Sequence, residues 1–331
     1  MHSKDKVAVI GSGSWATAIA KMLLLNKNRI NWYIRNPGTI DYMMQFHHNP
    51  KYLRSVNFDT GRITFFEDLK EAISESDILV FAIPSVYLKE LLSRVTPNFH
   101  GKLVVSAIKG IIPEDNLTIT EFFNRQYNVP FDRMGIITGP CHAEEVALER
   151  LSYLTIASKT EKQAKLLASC LESHFIRTVI SKDIYGTEYA AVLKNIFSIA
   201  AGVCHGLGYG DNFQAVLISN AIREMKRFLD HTWPGKRIIS SSAYLGDLLV
   251  TAYSQFSRNR SFGVMIGKGY SVRSAHLEMN MIAEGFHATR CIWEINRNHN
   301  VDMPIANAVY NILYERISPA IEIKILTTKL A

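Results

Sequence analysis

The stretch Val7-Ala8-Val9-Ile10-Gly11-Ser12-Gly13-Ser14-Trp15-Ala16 decides how the first half of this chain folds. Four apolar, β-prone residues run straight into two glycines spaced by one. Small and apolar residues then follow at helical spacing from Ser14 to about Leu25, so the segment reads as strand, tight turn and helix. Gly11 permits the turn, Gly13 lets the backbone approach a pyrophosphate, and the small Ala16 allows the helix to pack closely on the strand. The N–H groups at such a helix start bind a diphosphate, so the motif points to a dinucleotide.

Working outward, short β-branched runs alternate with amphipathic stretches, the pattern of βα units that build a mainly parallel sheet. Strands are expected at Val7–Ile10, Ile30–Ile34, Ile78–Ile83, Leu103–Ser106, Gly135–Thr138, Tyr153–Ala157 and Ile176–Ile180, with a helix over Glu161–His174. From Asp183 the β-branched clusters stop and apolar residues recur at helical spacing, first over Tyr185–Val203 and then over Ala215–Leu229. The expected architecture is an α/β Rossmann-type domain over residues 1–182 followed by an all-helical domain over residues 183–331. Pro234 and Gly235, then Gly263, Gly267 and Gly269, read as turns between the later helices.

Composition narrows the function class. The chain has 331 residues, 47% hydrophobic and 20% charged, with a formal net charge of +7, which describes a folded globular protein large enough for two cores. Cys141, Cys170, Cys204 and Cys291 stand too far apart for a zinc-ligand pair or a disulfide scaffold, so no metal is expected. The basic residues are scattered, which argues against nucleic acid. The run from Asn195 to Gly210 is the longest uncharged one and is too short to span a bilayer. The first strand begins within a few residues of Met1 and leaves no space for an export signal, so a cytoplasmic location is expected.

In the usual dinucleotide fingerprint an acidic residue about 20 positions on holds the adenosine ribose. Here the second strand runs out into Arg35-Asn36 instead. Arg35 can pair with a 2′-phosphate that a carboxylate would repel, so NADP(H) is expected in preference to NAD(H), with NAD(H) still open. A solvated arginine at a strand end is the alternative.

Candidate chemistry lies in the helical half. Lys194 and Asn195 sit in the middle of a segment that is apolar on nearly every side, where a lysine is costly unless it is paired or employed. A desolvated lysine can donate or accept a proton near neutrality. Asp247 precedes an apolar helix, with Thr251 one turn further on the same face; an N-cap is the plainer role for such an aspartate. Ser257-Arg258-Asn259-Arg260, placed at the end of that helix, offers a hydroxyl, a forked cation and an amide suited to a phosphate dianion. Basic residues complementing a helix C-terminus are the alternative. Lys109 in Ala107-Ile108-Lys109-Gly110 follows the fourth expected strand, and Gly139-Pro140-Cys141-His142-Ala143 follows the fifth, at the edge where open α/β sheets bind ligands. Cys141 and His142 are adjacent and rarely face one another, so a cysteine nucleophile is not expected.

The ordered series GSGSWATAIA, SAIKG, GPCHAEEV, VLKNIFSIAAG, GLGYGDN, AYLGDL, SRNRSFG and IAEGFHATR, from residue 11 to residue 290, resembles the NAD(P)-dependent glycerol-3-phosphate dehydrogenases of the bacterial type. The resemblance covers nearly the whole chain. It implies interconversion of dihydroxyacetone phosphate and sn-glycerol 3-phosphate, with the product feeding phospholipid synthesis, and a homodimer. It further implies that Lys194 moves the proton, with Asn195 and Thr251 beside the reacting centre, Lys109 and Asn195 polarising and orienting the substrate oxygen, and Asp247 fixing the ammonium of Lys194. Substrate contacts would be Lys109, Gly139, Cys141, Lys194, Asp247, Ser257, Arg258 and Asn259. Cofactor contacts would be Gly11, Gly13, Ser14, Trp15, Arg35, Lys109, Ala143, Arg258, Ile282 and Glu284.

The sequence departs from the family pattern at Cys141, where a hydroxyl residue is usual and a thiol is the weaker donor. It departs again at Ile218-Ser219-Asn220-Ala221, where packing is expected. A β-hydroxyacid dehydrogenase of related fold, which would need a carboxylate site in place of a phosphate site, and a dinucleotide-binding regulator without catalysis are the competing readings.

Overall fold

A computed structural model of the protein describes residues 5–279 and 283–330. Eight strands form one sheet: β1 (Val7–Ile10), β2 (Ile30–Tyr33), β3 (Ile63–Phe66), β4 (Ile78–Phe81), β5 (Leu103–Ser106), β6 (Met134–Thr138), β7 (Ser152–Ala157) and β8 (Ile176–Ser181). Their order is β3-β2-β1-β4-β5-β6-β7-β8. The first six strands pair in parallel, β6 and β7 are antiparallel, and β7 and β8 are parallel again. Strands β1, β4 and β5 are buried along their whole length, as a parallel sheet covered on both faces requires.

The strand bounds read from sequence agree with these within two residues, and β3 is the strand that reading missed. Its four residues, Ile-Thr-Phe-Phe, are only half buried and pair with β2 alone at the sheet edge. A short, half-covered edge strand leaves little apolar pattern to recognise. The helix expected to run to His174 stops at Leu171.

Two compact units result, one of Met1–Ile108 with Ile119–Ile184 and the other of Lys109–Thr118 with Tyr185–Ala331. A single cut after residue 182 therefore misses one exchange. Residues 109–118 belong with the helices, because Ile111 is buried in the helical core and the Asn116 amide donates to Glu294 Oε2 at 2.7 Å.

In the first unit, β2 lies on one side of β1 and β4 on the other, so the chain reverses direction across the sheet at β1. Crevices outside the carboxyl ends of strands form at such a reversal. Gly11 leaves β1 there at φ 125°, and a Cβ on it would stand 2.6 Å from the Ala82 carbonyl oxygen beyond β4. Only glycine satisfies both conditions.

The second unit is helical and packs around Ile184–Gly206, whose Val192, Leu193, Ile196, Phe197, Ile199 and Val203 are wholly buried. This helix meets the helix Arg258–Gly267 almost backbone to backbone. A Cβ on Gly202 would lie 2.1 Å from the Arg260 carbonyl oxygen, and one on Gly263 would lie 2.2 Å from that of Ile199. Gly263, expected as a turn, is instead inside the helix, Gly267 is its last residue, and both lie on its contact face with the long helix. Gly269, at φ 93°, does turn the chain after it.

Candidate active site

The crossing of those two helices builds a polar cluster inside the helical unit. Lys194 projects from the middle of the long helix with its side chain 5% exposed, and Asp247, 1% exposed, faces it. Lys194 Nζ donates to Asp247 Oδ1 at 2.5 Å and to Thr251 Oγ1 at 3.0 Å. The other carboxylate oxygen, Oδ2, accepts from Lys109 Nζ at 3.4 Å. One buried carboxylate is thus shared by two ammonium groups.

Asp247 is the first residue of the helix Asp247–Tyr253, entered through a π-helical turn, Ser242–Gly246, and no side-chain cap forms at that start. The plain N-cap role considered for it does not apply. Its carboxylate serves the lysines, while Thr251 Oγ1 donates to the Asp247 carbonyl one turn back at 2.6 Å and fixes its own oxygen toward Lys194.

Burial pushes the Lys194 ammonium down, the Asp247 carboxylate partly restores it, and the Lys109 charge lowers it again, leaving a pKa of about 7. Burial alone would raise the Asp247 carboxyl, but Lys109 and Lys194 outweigh it and hold the group below its ordinary value. A lysine able to exist in both protonation states near neutrality beside a fixed carboxylate is equipped for proton transfer.

A chain of amides ties the neighbouring elements together. The Gly285 N–H donates to Asn259 Oδ1 at 2.9 Å, Asn259 Nδ2 donates to Asn195 Oδ1 at 2.9 Å, and Asn195 Nδ2 donates to the Lys109 carbonyl at 2.7 Å. Ser257 caps the helix Arg258–Gly267, accepting from the Arg260 N–H, and its hydroxyl also lies 3.0 Å from that of Ser198. Ser198 stands one turn after Lys194 and donates to the Thr251 carbonyl at 2.7 Å.

Arg258 opens this helix and is exposed, whereas the sequence reading placed the Ser257–Arg260 run at the end of a helix. A cation in the first turn is at the positive end of the helix dipole, so dipole compensation does not explain it, whereas an anion at that position would meet both.

In the sheet unit, Ser14 begins the helix Ser14–Asn26 with Gly13 as its N-cap. The local geometry fits a dinucleotide phosphate. A Cβ on Gly13 would meet nothing within 4 Å, no side chain caps the helix, and its first turn carries no acidic residue. Asn49 Nδ2 braces the loop on the Ser12 carbonyl and Thr17 Oγ1, both at 3.0 Å, and Trp32 Nε1 donates to the Gly11 carbonyl at 2.7 Å. Arg35 is exposed just past β2. Gly139 follows β6 at the carboxyl edge of the parallel strands, and Cys141 and Ala143 are buried with Val146 and Leu154 in the sheet core.

The sequence matches the family pattern of the NAD-dependent glycerol-3-phosphate dehydrogenase N-terminus over residues 6–164 and that of the C-terminus over residues 183–324. The chain belongs to the NAD-dependent glycerol-3-phosphate dehydrogenase family. It is an oxidoreductase of that family. It is 32% identical to the glycerol-3-phosphate dehydrogenase [NAD(P)+] of Staphylococcus carnosus (strain TM300), covering 97% of each chain. With that of Bacillus subtilis (strain 168) the identity is 34%, over 96% of this chain and 93% of the relative. The crystal structure of glycerol-3-phosphate dehydrogenase from Coxiella burnetii superposes with a TM-score of 0.90 at 27% identity, covering 98% of this chain and 99% of that one.

Of the site residues expected in this glycerol-3-phosphate dehydrogenase family member, the helical unit gathers Lys109, Lys194, Asn195, Asp247, Thr251, Ser257 and Asn259 into one bonded group. Glu284 opens the helix Glu284–Asn296, next to the Gly285 N–H of the amide chain. Gly11, Gly13, Ser14, Trp15, Arg35, Gly139, Cys141 and Ala143 belong to the sheet unit. Ile282 lies outside the described residues. Sequence reasoning missed Ser198, Gly285, Asn49 and Trp32. Only Ser198 carried a signal, its place one turn after Lys194; the others join the site through contacts distant along the chain. Among the described residues no helix is long and apolar enough to cross a membrane.

Proposed function

We propose that this oxidoreductase interconverts dihydroxyacetone phosphate and sn-glycerol 3-phosphate, with Lys194 as the group that gives and takes the proton. The observation that carries the assignment is the buried Lys194–Asp247 pair held at 2.5 Å, with Thr251 and Lys109 around it. No structural demand of the helical core requires a charged pair there, and its burial is expensive without a task.

In ketone reduction, protonated Lys194 spends two N–H donors on Asp247 and Thr251 and directs the third to the substrate carbonyl oxygen. The dinucleotide, when bound, supplies hydride to the carbonyl carbon. As negative charge builds on the oxygen, Lys194 transfers its proton and Lys109 stabilises the charge. Oxidation runs the same steps backwards, with neutral Lys194 accepting the hydroxyl proton. Asp247 remains ionised and holds both ammonium groups in place. Asn195, with its amide engaged by Lys109 and Asn259, serves the site by orientation. Arg258, the helix start at Arg258–Gly267 and Asn259 receive the phosphate, which orients the substrate through a part that does not react. This preference for a dianion over a carboxylate separates the reading from the β-hydroxyacid alternative.

The loop at Gly11–Ser14 receives the pyrophosphate, and Arg35 favours NADP(H) over NAD(H) by pairing with a 2′-phosphate. We assign the product to phospholipid synthesis and the protein to the cytoplasm as a homodimer, in keeping with the resemblance of its sequence.

The test is loss of nicotinamide absorbance with dihydroxyacetone phosphate, using NADPH and NADH in parallel, for the wild type, Lys194→Ala and Arg35→Ala. Turnover by the wild type, lost in Lys194→Ala while dinucleotide still binds, is the expected result. Arg35→Ala should lose on the order of 10-fold in kcat/KM for NADPH and little for NADH, the scale of one charge-assisted contact. No turnover by folded, dinucleotide-binding wild type overturns the assignment.

A further inference from the structure

Lys109 reaches the Asp247 carboxylate from a segment, residues 109–118, that leaves the sheet unit and joins the helices. What holds this excursion in place determines where the Lys109 ammonium stands. Its near end is fixed by Asn195, which donates to the Lys109 carbonyl at 2.7 Å. Ile111 is buried in the helical core. The excursion then folds back on itself. Ile112 and Leu117 form an antiparallel bridge, the Ile112 N–H bonds to the Leu117 carbonyl at 2.9 Å, and the Asn116 N–H bonds to the Ile112 carbonyl at 2.9 Å. Asn116 sits in the left-handed region at φ 53°, a conformation asparagine tolerates better than most residues.

The tip of this small loop is clasped from outside. Asn116 Nδ2 donates to Glu294 Oε2 at 2.7 Å, and Arg290 Nε donates to Glu294 Oε1 at 2.8 Å. Glu294 and Arg290 lie one turn apart on the helix Glu284–Asn296. The hydrogen bonds from Arg290 and Asn116 hold the Glu294 carboxyl below its ordinary pKa, so it is ionised in the working range. Cys291 on the same helix contributes a weak contact from its thiol to the Pro113 carbonyl at 3.9 Å. The start of this helix is where the Gly285 N–H enters the amide chain through Asn259 and Asn195 to Lys109. One helix therefore reaches the Lys109 loop at two places, at its near end from the first turn through Asn259 and Asn195, and at its tip through Glu294.

We propose that the Asn116–Glu294 hydrogen bond is a positioning clasp that sets the place of Lys109 against Asp247 and Lys194 during the reaction. This rests on the role given above to Lys109. Asn116 and Glu294 touch neither substrate nor cofactor in this scheme; they act through the loop. A loosened clasp lets Lys109 withdraw, weakens stabilisation of the developing oxyanion, and removes part of the positive field that lowers Lys194.

The experiment compares the wild type with Asn116→Asp, Asn116→Gly and the double variant Asn116→Asp/Glu294→Gln. Asn116→Asp sets a carboxylate against Glu294 while preserving shape. Asn116→Gly keeps the left-handed backbone and deletes only the amide, so it serves if the first variant fails to fold. The double variant restores the bond with donor and acceptor exchanged. Readouts are kcat and KM for dihydroxyacetone phosphate, the pH dependence of kcat, dinucleotide binding and the melting temperature. Asn116→Asp should lower kcat on the order of 10-fold, a scale typical of misplaced groups at a reacting centre. Its alkaline limb should move to higher pH, dinucleotide binding should be retained, and the double variant should recover most of the loss. Wild-type kcat and pH limb in Asn116→Asp or Asn116→Gly overturn the clasp, as does a double variant no better than Asn116→Asp. Absence of turnover by the wild type overturns the reading of Lys109 itself, and the clasp with it.

Discussion

Asp247 divides its carboxylate between two lysines, with Oδ1 2.5 Å from Lys194 Nζ and Oδ2 3.4 Å from Lys109 Nζ. Removing that negative charge leaves two cations facing each other in a buried place. Asp247→Asn should therefore lower the Lys194 pKa below about 7, because the aspartate is what opposes burial there. The alkaline limb of ketone reduction should move to lower pH, with kcat falling on the order of 100-fold. A pH profile of kcat for the two proteins checks this, and an unmoved limb would contradict the pairing.

The direction of proton transfer sets the optimum of each reaction. Reduction needs Lys194 protonated and is expected to decline above about pH 7, while oxidation needs it neutral and should decline below about pH 7. The same group contributes to stability with a definite sign. Its folded pKa lies below the ordinary 10.5, so between these values the unfolded chain binds more protons and stability rises with pH. That contribution is lost as pH falls from 10.5 through about 7. Lys194→Met should flatten this part of the curve in denaturant titrations at stepped pH.

Glu224 gives the opposite slope. It is buried, and its two carboxylate oxygens accept the Ile305 and Ala306 N–H groups at 2.8 and 2.9 Å. These are the first donors of the helix Pro304–Leu313, since Pro304 has none. Burial pushes the carboxyl up to about 8 against the pull of those bonds. The folded state holds this proton more tightly than the unfolded one, so stability from this group is present below about 4.5 and is lost as pH rises through about 8. Glu224→Gln should remove that slope. Glu224→Ala should cost about 1–3 kcal/mol for each orphaned N–H, measured by unfolding at fixed pH.

The seam at Gly202 and Gly263 has no space for a methyl group, and the obstacle on each side is backbone. Gly202→Ala should force the helices Ile184–Gly206 and Arg258–Gly267 apart at a cost of about 3 kcal/mol or more. The shift would also stretch the Asn259–Asn195 bond of 2.9 Å, so turnover should fall with stability. Equal melting temperatures for Gly202→Ala and wild type would show that the crossing can relax.

Much of the plan was legible along the chain. The strand, glycine turn and helix at Val7–Leu25 are local, and periodicity alone separates the sheet half from the helical half. Lys194 stood out because an apolar helix pays heavily for a charge. The edge strand β3 was missed because four half-covered residues carry too little pattern. The turn expected at Gly263 was wrong because a glycine that breaks a helix and a glycine that lets two helices touch look the same in one dimension.

The sequence by itself determined the class of fold, the dinucleotide loop and the residue types of the site, since these follow from local spacing and from the cost of burying a charge. Tertiary structure decided their partners. Asp247, expected beside Lys194, also takes Lys109 on its second oxygen and caps no helix, Arg258 stands at a helix start and not at a helix end, and residues 109–118 belong to the helical unit. The ion pairs and the placement of residues 109–118 depend on contacts between residues 53 to 178 positions apart, where burial and hydrogen-bond geometry choose among roles that local spacing leaves open, whereas the helix start at Arg258 is set by the local Ser257 cap.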